Sequence, residues 1–180
     1  MRADSKDKLQ KLDFDLTERL RYEAKPGIIR SLSIALAHSG DSWFWILGLG
    51  VIWLAGSDFW KWRVIILLAG IFFTAVIVMA IKFSVRRRRP DGDWGAIYRK
   101  TDPHSFPSGH AARSAMLAVI ASGIGPQWLG ILLIIWAPLV MLARVSMGLH
   151  YLSDVIAGAA LGAVIGLIVL VILPQISYLL

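Results

Sequence analysis

The sequence predicts an all-α protein set in a membrane: an integral membrane helical bundle of five transmembrane helices, with a sixth crossing left open, and an N-terminal amphipathic helix. Three observations carry this reading. The 180-residue chain is 57% hydrophobic and 17% charged, where soluble domains run at roughly 45–50% and 25%. Its mean hydropathy is +0.64, and the apolar residues fall in long tracts with tryptophans at their ends. This composition excludes intrinsic disorder and a collagen-like chain. With no cysteine, disulfides, thiolate catalysis and Cys-ligated metals are excluded as well.

Met1 to Tyr22 carries both signs of charge and lacks a basic stretch followed by a continuous apolar run, so a cleaved signal peptide is not expected. Within it Leu9, Leu12, Leu16 and Leu20 recur at three and four residues, forming one apolar stripe on a helix that Pro26-Gly27 closes. Two placements fit such a helix: lying in the membrane interface, or packed on the bundle or a second chain. The chain thus divides into an amphipathic segment, 1–27, and a single transmembrane domain, 28–180.

Five apolar tracts follow, Trp43–Gly56, Val64–Ile81, Ala111–Ile124, Trp128–Ala143 and Val155–Leu173. A straight crossing of a ~30 Å hydrocarbon core takes about 20 residues, so the first and third are short. The stretch Ile28–Ala37, separated by Ser39-Gly40-Asp41-Ser42, is a candidate missing half of the first span. Trp43, Trp45, Trp60, Trp62 and Trp128 are expected at headgroup level. Pro138 should kink the fourth span. Gly158, Gly162 and Gly166 give the fifth a small-residue face for close packing within the bundle.

The net charge is +7. The cations sit between and before apolar tracts rather than in a stripe interleaved with aromatics, so nucleic acid is not an expected partner; anionic lipid or a phosphorylated substrate is.

Three polar clusters interrupt the apolar pattern. Lys82 to Pro90 leaves the second span with four consecutive arginines, Arg86 to Arg89. By itself this is an orientation signal or a contact for anionic lipid. Ser105-Phe106-Pro107-Ser108-Gly109-His110 runs straight into the third span, where a helix N-terminus offers backbone N–H groups to an anion beside His110. Arg144 leaves the fourth span, and His150 and Asp154 enter the fifth. If that helix starts near Gly148, these two share a face four residues apart, and a carboxylate on one ring nitrogen leaves the other free as nucleophile or base. Alternating crossings put all three clusters on one side of the membrane. Two histidines, several cations and a helix N-terminus are the parts needed for phosphoryl transfer, which depends mostly on positioning and charge neutralisation. Arg113, one turn inside the third tract, is expected either to touch a headgroup at the site rim or to snorkel.

In order and spacing, Lys82-x6-Arg89-Pro90, Pro107-Ser108-Gly109-His110 and Arg144-x5-His150-x3-Asp154 resemble the three-part signature of the type 2 phosphatidic acid phosphatase family, integral-membrane lipid phosphatases related to vanadium haloperoxidases. The resemblance implies that His150 attacks phosphorus to form a phosphohistidine, and that Asp154 orients its ring. It implies that Lys82, Arg89 and Arg144 neutralise the phosphate oxygens, with Ser108 and the Gly109 N–H adding hydrogen bonds. His110 would protonate the leaving group and then deprotonate water. No metal or other cofactor is implied. Ala143 stands where the family often has Ser, removing one hydroxyl donor. Arg86, Arg87 and Arg88 fall in the variable part of the first motif and are expected to touch lipid headgroups.

The expected activity is removal of a terminal phosphate from a lipid phosphate or diphosphate, with phosphatidate, phosphatidylglycerophosphate and polyprenyl diphosphate all fitting. Phosphotransfer to another acceptor, haloperoxidation with bound vanadate, and a non-catalytic anionic-lipid-binding protein are the alternatives. The setting is a multi-pass protein of the cell membrane. Lys82, Arg86 to Arg89, Arg99, Lys100 and Arg144 on the site face favour a cytoplasmic site by the positive-inside rule, whereas many members of the family present theirs on the other side. Oligomeric state is open.

Overall fold

A computed structural model describes residues 2–21, 27–91 and 102–177; Pro26, Arg99 and Lys100 lie outside the described residues. The regular elements are helices: α1 Arg2–Leu20, α2 Ile28–Ser39, α3 Ser42–Ala55, α4 Asp58–Val85, α5 Gly109–Ile124, α6 Gln127–Ser146 and α7 Leu152–Ser177. Among the described residues α4, α6 and α7 are long and apolar enough to cross a bilayer, while α2 and α3, at 12 and 14 residues, are shorter.

The reason α5 stays short, at 16 residues, is its position. It packs on α4, α6 and α7, and Ala111, Ala112, Met116, Leu117 and Ile120 are fully buried along it. A helix surrounded by protein need not match the thickness of the lipid. The outer helices differ: Phe72, Phe73, Ile134, Ile135, Leu167 and Val171 are exposed, an apolar surface suited to lipid tails.

The small-residue face of α7 packs inside the bundle, as expected. A Cβ on Gly162 would overlap the carbonyl of Ala112, and one on Gly158 the carbonyl of Ser108. The two backbones therefore touch. Pro138 lies inside α6, which continues as one helix from Gln127 to Ser146.

The first tract, Trp43–Gly56, is α3, and the stretch Ile28–Ala37 before it does not run on into it as one helix. The two are separate helices, α2 packed on α6 and α3 on α4, parted at Gly40-Asp41. Backbone groups freed at such a break must find partners within the protein. Trp45 Nε1 donates to the Ser39 carbonyl (2.9 Å) and Trp136 Nε1 to the Ser39 hydroxyl (2.9 Å), while Arg113 donates to the Gly40 carbonyl. Trp45, expected at headgroup level, is thus held at the break, its ring 5.1 Å from that of Trp136.

Helix α1 docks on the bundle by a polar edge rather than by its leucine stripe. Thr17 Oγ1 accepts the Leu152 N–H (3.0 Å) and Asp13 Oδ1 the Ser153 N–H (2.9 Å), two of the unpaired donors at the start of α7. Leu9 and Leu12 remain 66% and 54% exposed. With Val85, Phe106 and Ile156 they border a groove of about 680 Å³.

Candidate active site

The end of α4 builds one wall. Its C-cap, Arg86, takes the left-handed conformation at φ 53°, which turns Arg87 to Arg89 back over the bundle. There Arg88 pairs with His104 in an isolated antiparallel bridge, and Ser105 N–H donates to the Arg87 carbonyl (2.8 Å). This short pairing brings Arg89 and Asp102 together. Arg89 Nη2 and Lys82 Nζ donate to the same oxygen, Oδ2 of Asp102, the former at 2.8 Å. Lys82 Nζ also donates to the His104 carbonyl (3.0 Å).

The start of α5 builds the second wall. Ser108 caps it, its hydroxyl accepting the Ala111 N–H (3.4 Å), and its own N–H donates to the Asp154 carbonyl (2.9 Å). The Ser108 side chain is buried in that role. His110 Nε2 meets Asp41 Oδ1 at 2.7 Å.

The turn from α6 to α7 supplies the third wall. Gly148 adopts φ 65°, with the Arg21 guanidinium against it; a side chain here would be strained. The turn buries His150, and α7 begins only at Leu152. His150 and Asp154 therefore do not share a helical face. Asp154 Oδ2 accepts the Tyr151 N–H (2.9 Å) at the helix start and lies 3.7 Å from His150 Nδ1. The ring is held instead by the Ser105 carbonyl, which accepts from Nδ1 at 2.9 Å. That bond leaves a lone pair on Nε2, toward which Arg89 Nη1 donates at 3.1 Å. Burial, then the charges of Arg89, Arg144 and Lys82, hold the imidazole well below its ordinary pKa, so the ring is neutral.

Lys82, Asp102, Gly109, His110, Arg113 and His150 surround one cavity of about 190 Å³. Arg144 is buried, and its charge reaches Arg89 and His150. Ala143 is buried beside it. Arg113 lines the cavity and donates to Gly40 rather than snorkelling.

Arg87 corrects an expectation. It does not face lipid: Nη1 donates to Asp154 Oδ1 (2.8 Å) and Ser153 Oγ (2.6 Å), and Nη2 to Asp13 Oδ2 (2.6 Å). Its guanidinium carbon lies 4.0 Å from the Tyr151 ring centroid. Arg86 and Arg88 are exposed. Asp41, Asp102 and the Ser105 carbonyl were not anticipated. Asp41 carried a signal, since a carboxylate between two apolar stretches is costly without a partner. No group of three His, Asp or Glu side chains among the described residues is placed to hold a metal.

An apolar helical bundle that gathers two histidines, Lys82 and Arg113 around one cavity at the helix ends, with Arg89 against one of the histidines, has the build of a membrane-embedded phosphatase. Residues 63–178 match the PAP2 superfamily. Decaprenylphosphoryl-5-phosphoribose phosphatase of Mycobacterium tuberculosis is 34% identical over 149 residues, 81% of this chain and 80% of its own length. Undecaprenyl-diphosphatase of Sulfolobus acidocaldarius is 32% identical over 140 residues, 75% of this chain and 66% of its own length. Among solved structures, a transmembrane PAP2-type phosphatidylglycerolphosphate phosphatase from Bacillus subtilis has a TM-score of 0.72 at 22% identity, covering 89% of this chain and 84% of that one. LpxE of Aquifex aeolicus has a TM-score of 0.71 at 24% identity, covering 88% of this chain and 94% of that one. These two are likenesses of fold. The chain belongs to the PAP2 superfamily.

Proposed function

We propose that this protein hydrolyses the terminal phosphate of a lipid phosphate or diphosphate at the surface of the cell membrane, through a phosphohistidine on His150. The observation that carries the reading is the convergence of Lys82 and Arg89 on a single anionic oxygen, that of Asp102, beside the lone pair of His150. In this reading a phosphate oxygen takes the place of that carboxylate oxygen. Lys82, Arg89 and Arg144 neutralise the charge that develops on the phosphoryl group, and the Gly109 N–H, at the start of α5, adds a donor. Ser108 acts by capping α5.

His150 Nε2 forms a bond to phosphorus as the bond to the leaving oxygen breaks. The ring, now protonated at Nδ1 and phosphorylated at Nε2, is stabilised by the Ser105 carbonyl and the charge of Asp154. Splitting the displacement in two is the gain from a covalent nucleophile. His110 gives a proton to the leaving oxygen and then takes one from the attacking water. Residues 28–180 form the transmembrane phosphatase domain in a multi-pass arrangement, preceded by the amphipathic segment 1–27, whose helix α1 packs on it.

Relatives that act on decaprenylphosphoryl-5-phosphoribose and undecaprenyl diphosphate support a polyprenyl substrate, alongside phosphatidate and phosphatidylglycerophosphate. The test is phosphate release by detergent-purified protein in EDTA across these lipids and a soluble sugar phosphate, beside His150→Ala. Turnover of one or more lipids, lost in the variant, is expected. Absence of turnover by folded protein would favour transfer chemistry or lipid binding, and a requirement for Mg²⁺ would overturn the metal-independent mechanism.

A further inference from the structure

The break between α2 and α3 places a carboxylate on His110. Asp41 is the N-cap residue of α3, a position where Asp normally accepts N–H groups of its own helix; here it makes no such bond. Its Oδ1 meets His110 Nε2 at 2.7 Å, and its Oδ2 meets His38 Nδ1 at 3.0 Å and Trp43 Nε1 at 3.3 Å. The Asp41 and His110 side chains are 17% and 14% exposed. The break itself is fixed by Trp45, Trp136 and Arg113, so the carboxylate sits on a braced element. It also lies upstream of residues 63–178, the segment that matches the family.

We propose that Asp41 is a positioning residue for proton transfer: it holds His110 through Nε2 and directs Nδ1 to the leaving group. The assignment rests on the reading of His110 as proton donor. With Nε2–H bonded to Asp41, the carboxylate offsets part of what burial and the charges of Arg144 and Arg113 cost the imidazolium, and its Nδ1 proton is the one available. In the first step the phosphorus–oxygen bond to the leaving group breaks as the bond to His150 Nε2 forms, and the leaving oxygen takes the Nδ1 proton. His110 is then neutral, with its remaining proton on Nε2 against Asp41 and a lone pair on Nδ1. In the second step that lone pair takes a proton from the water whose oxygen attacks phosphorus, the phosphorus–nitrogen bond breaks, and inorganic phosphate leaves with both histidines restored. Asp41 gains and loses no proton throughout.

The leaving group provides the test, because an alkoxide needs a proton to depart and a nitrophenolate does not. The full chain in detergent is assayed with dioctanoyl phosphatidate and with p-nitrophenyl phosphate, comparing kcat/KM, which reports steps through the first leaving-group departure. Asp41→Asn is expected to lower kcat/KM for the phosphatidate on the order of 100-fold, and for the nitrophenyl ester by less than about a tenth of that factor. Asp41→Ser, which offers α3 a capping hydroxyl in place of the charge, is expected to show the same selectivity. His110→Ala should show it more strongly, and adding Asp41→Asn to His110→Ala should cost little more, as for residues acting as one unit. Equal losses on both substrates in both Asp41 variants would reveal a merely structural role and overturn the proposal. Absence of selectivity in His110→Ala would instead refute His110 as the donor, and the assignment of Asp41 with it.

Discussion

Asp13 Oδ2 stands 2.6 Å from Arg87 Nη2, across 74 residues of chain, and through this pair the amino-terminal helix reaches the active site. The other nitrogen of Arg87 holds Asp154. Asp13→Ala would leave Arg87 short of one charged partner and the start of α7 short of one acceptor. A stability loss of about 1–3 kcal/mol is expected, read as a lower melting temperature in detergent. A fall in kcat with KM little changed is expected too, since what loosens is Asp154 and not the cations.

The same pair makes an acid-sensitive contact. Burial disfavours the Asp13 carboxylate, but hydrogen bonds from Ser153 and Arg87 outweigh it, so its pKa lies below the ordinary 3.8. A depressed carboxylate contributes stability that is present above its unfolded pKa and is lost as pH falls through the folded one. The melting temperature should therefore decline below about pH 4, and part of that decline should be missing in Asp13→Ala. Identical acid profiles would contradict the assignment.

Asp154→Asn should be milder than a broken histidine–carboxylate pair suggests. The His150 ring is oriented by the Ser105 carbonyl at 2.9 Å, with Asp154 at 3.7 Å, so ring orientation survives, while the negative charge and one acceptor, for either the Tyr151 N–H or Arg87, are lost. A kcat reduction of about 10- to 100-fold is expected, against loss of turnover in His150→Ala. Rapid quenching should trap an acid-labile phosphoenzyme in Asp154→Asn and none in His150→Ala.

Asp102 competes with phosphate, because its Oδ2 already satisfies Lys82 and Arg89. Asp102→Asn removes the charge but not the shape. Vanadate or inorganic phosphate should then inhibit at concentrations about tenfold lower, a gain of ~1.4 kcal/mol in anion binding. Weaker inhibition would mean that the carboxylate helps the cations hold the ligand.

Gly162→Ala should be destabilising although alanine is the better helix former. Its Cβ would overlap the Ala112 carbonyl, and backbone cannot move aside as a flexible side chain can. About 1–3 kcal/mol is expected, visible as a reduced melting temperature. Gly48, whose Cβ would meet nothing within 4 Å, is the control.

The membrane bundle was legible from the sequence because apolar tracts long enough to span announce themselves, and Lys82, Arg89, His110 and His150, which the structure brings close together, stood out through the motifs that resemble the phosphatase family. Asp41 was hidden inside what looked like an interruption in a span; its purpose depends on His110, 69 residues away, and no local pattern encodes that meeting. Asp102 was likewise one acid in a polar loop. Arg87 was misplaced because a run of four arginines suggests a solvated or lipid-facing surface, whereas the left-handed turn at Arg86 sends them in different directions. The His150–Asp154 spacing matched a helical face, yet the tight turn at Gly148 delays the helix until Leu152.

The glycine seam between α5 and α7 also sets a tolerance. Gly158 rests against the Ser108 carbonyl, and the N–H of that same residue reaches the Asp154 carbonyl at 2.9 Å. His110 rides on one of these helices, and His150 on the turn that feeds the other. The offset between the two histidines is therefore gauged by the contact of bare backbones lower in the bundle, like a shim of zero thickness. Swelling that seam by a single methyl would register at the phosphorus as a misalignment, without any residue of the cavity having changed.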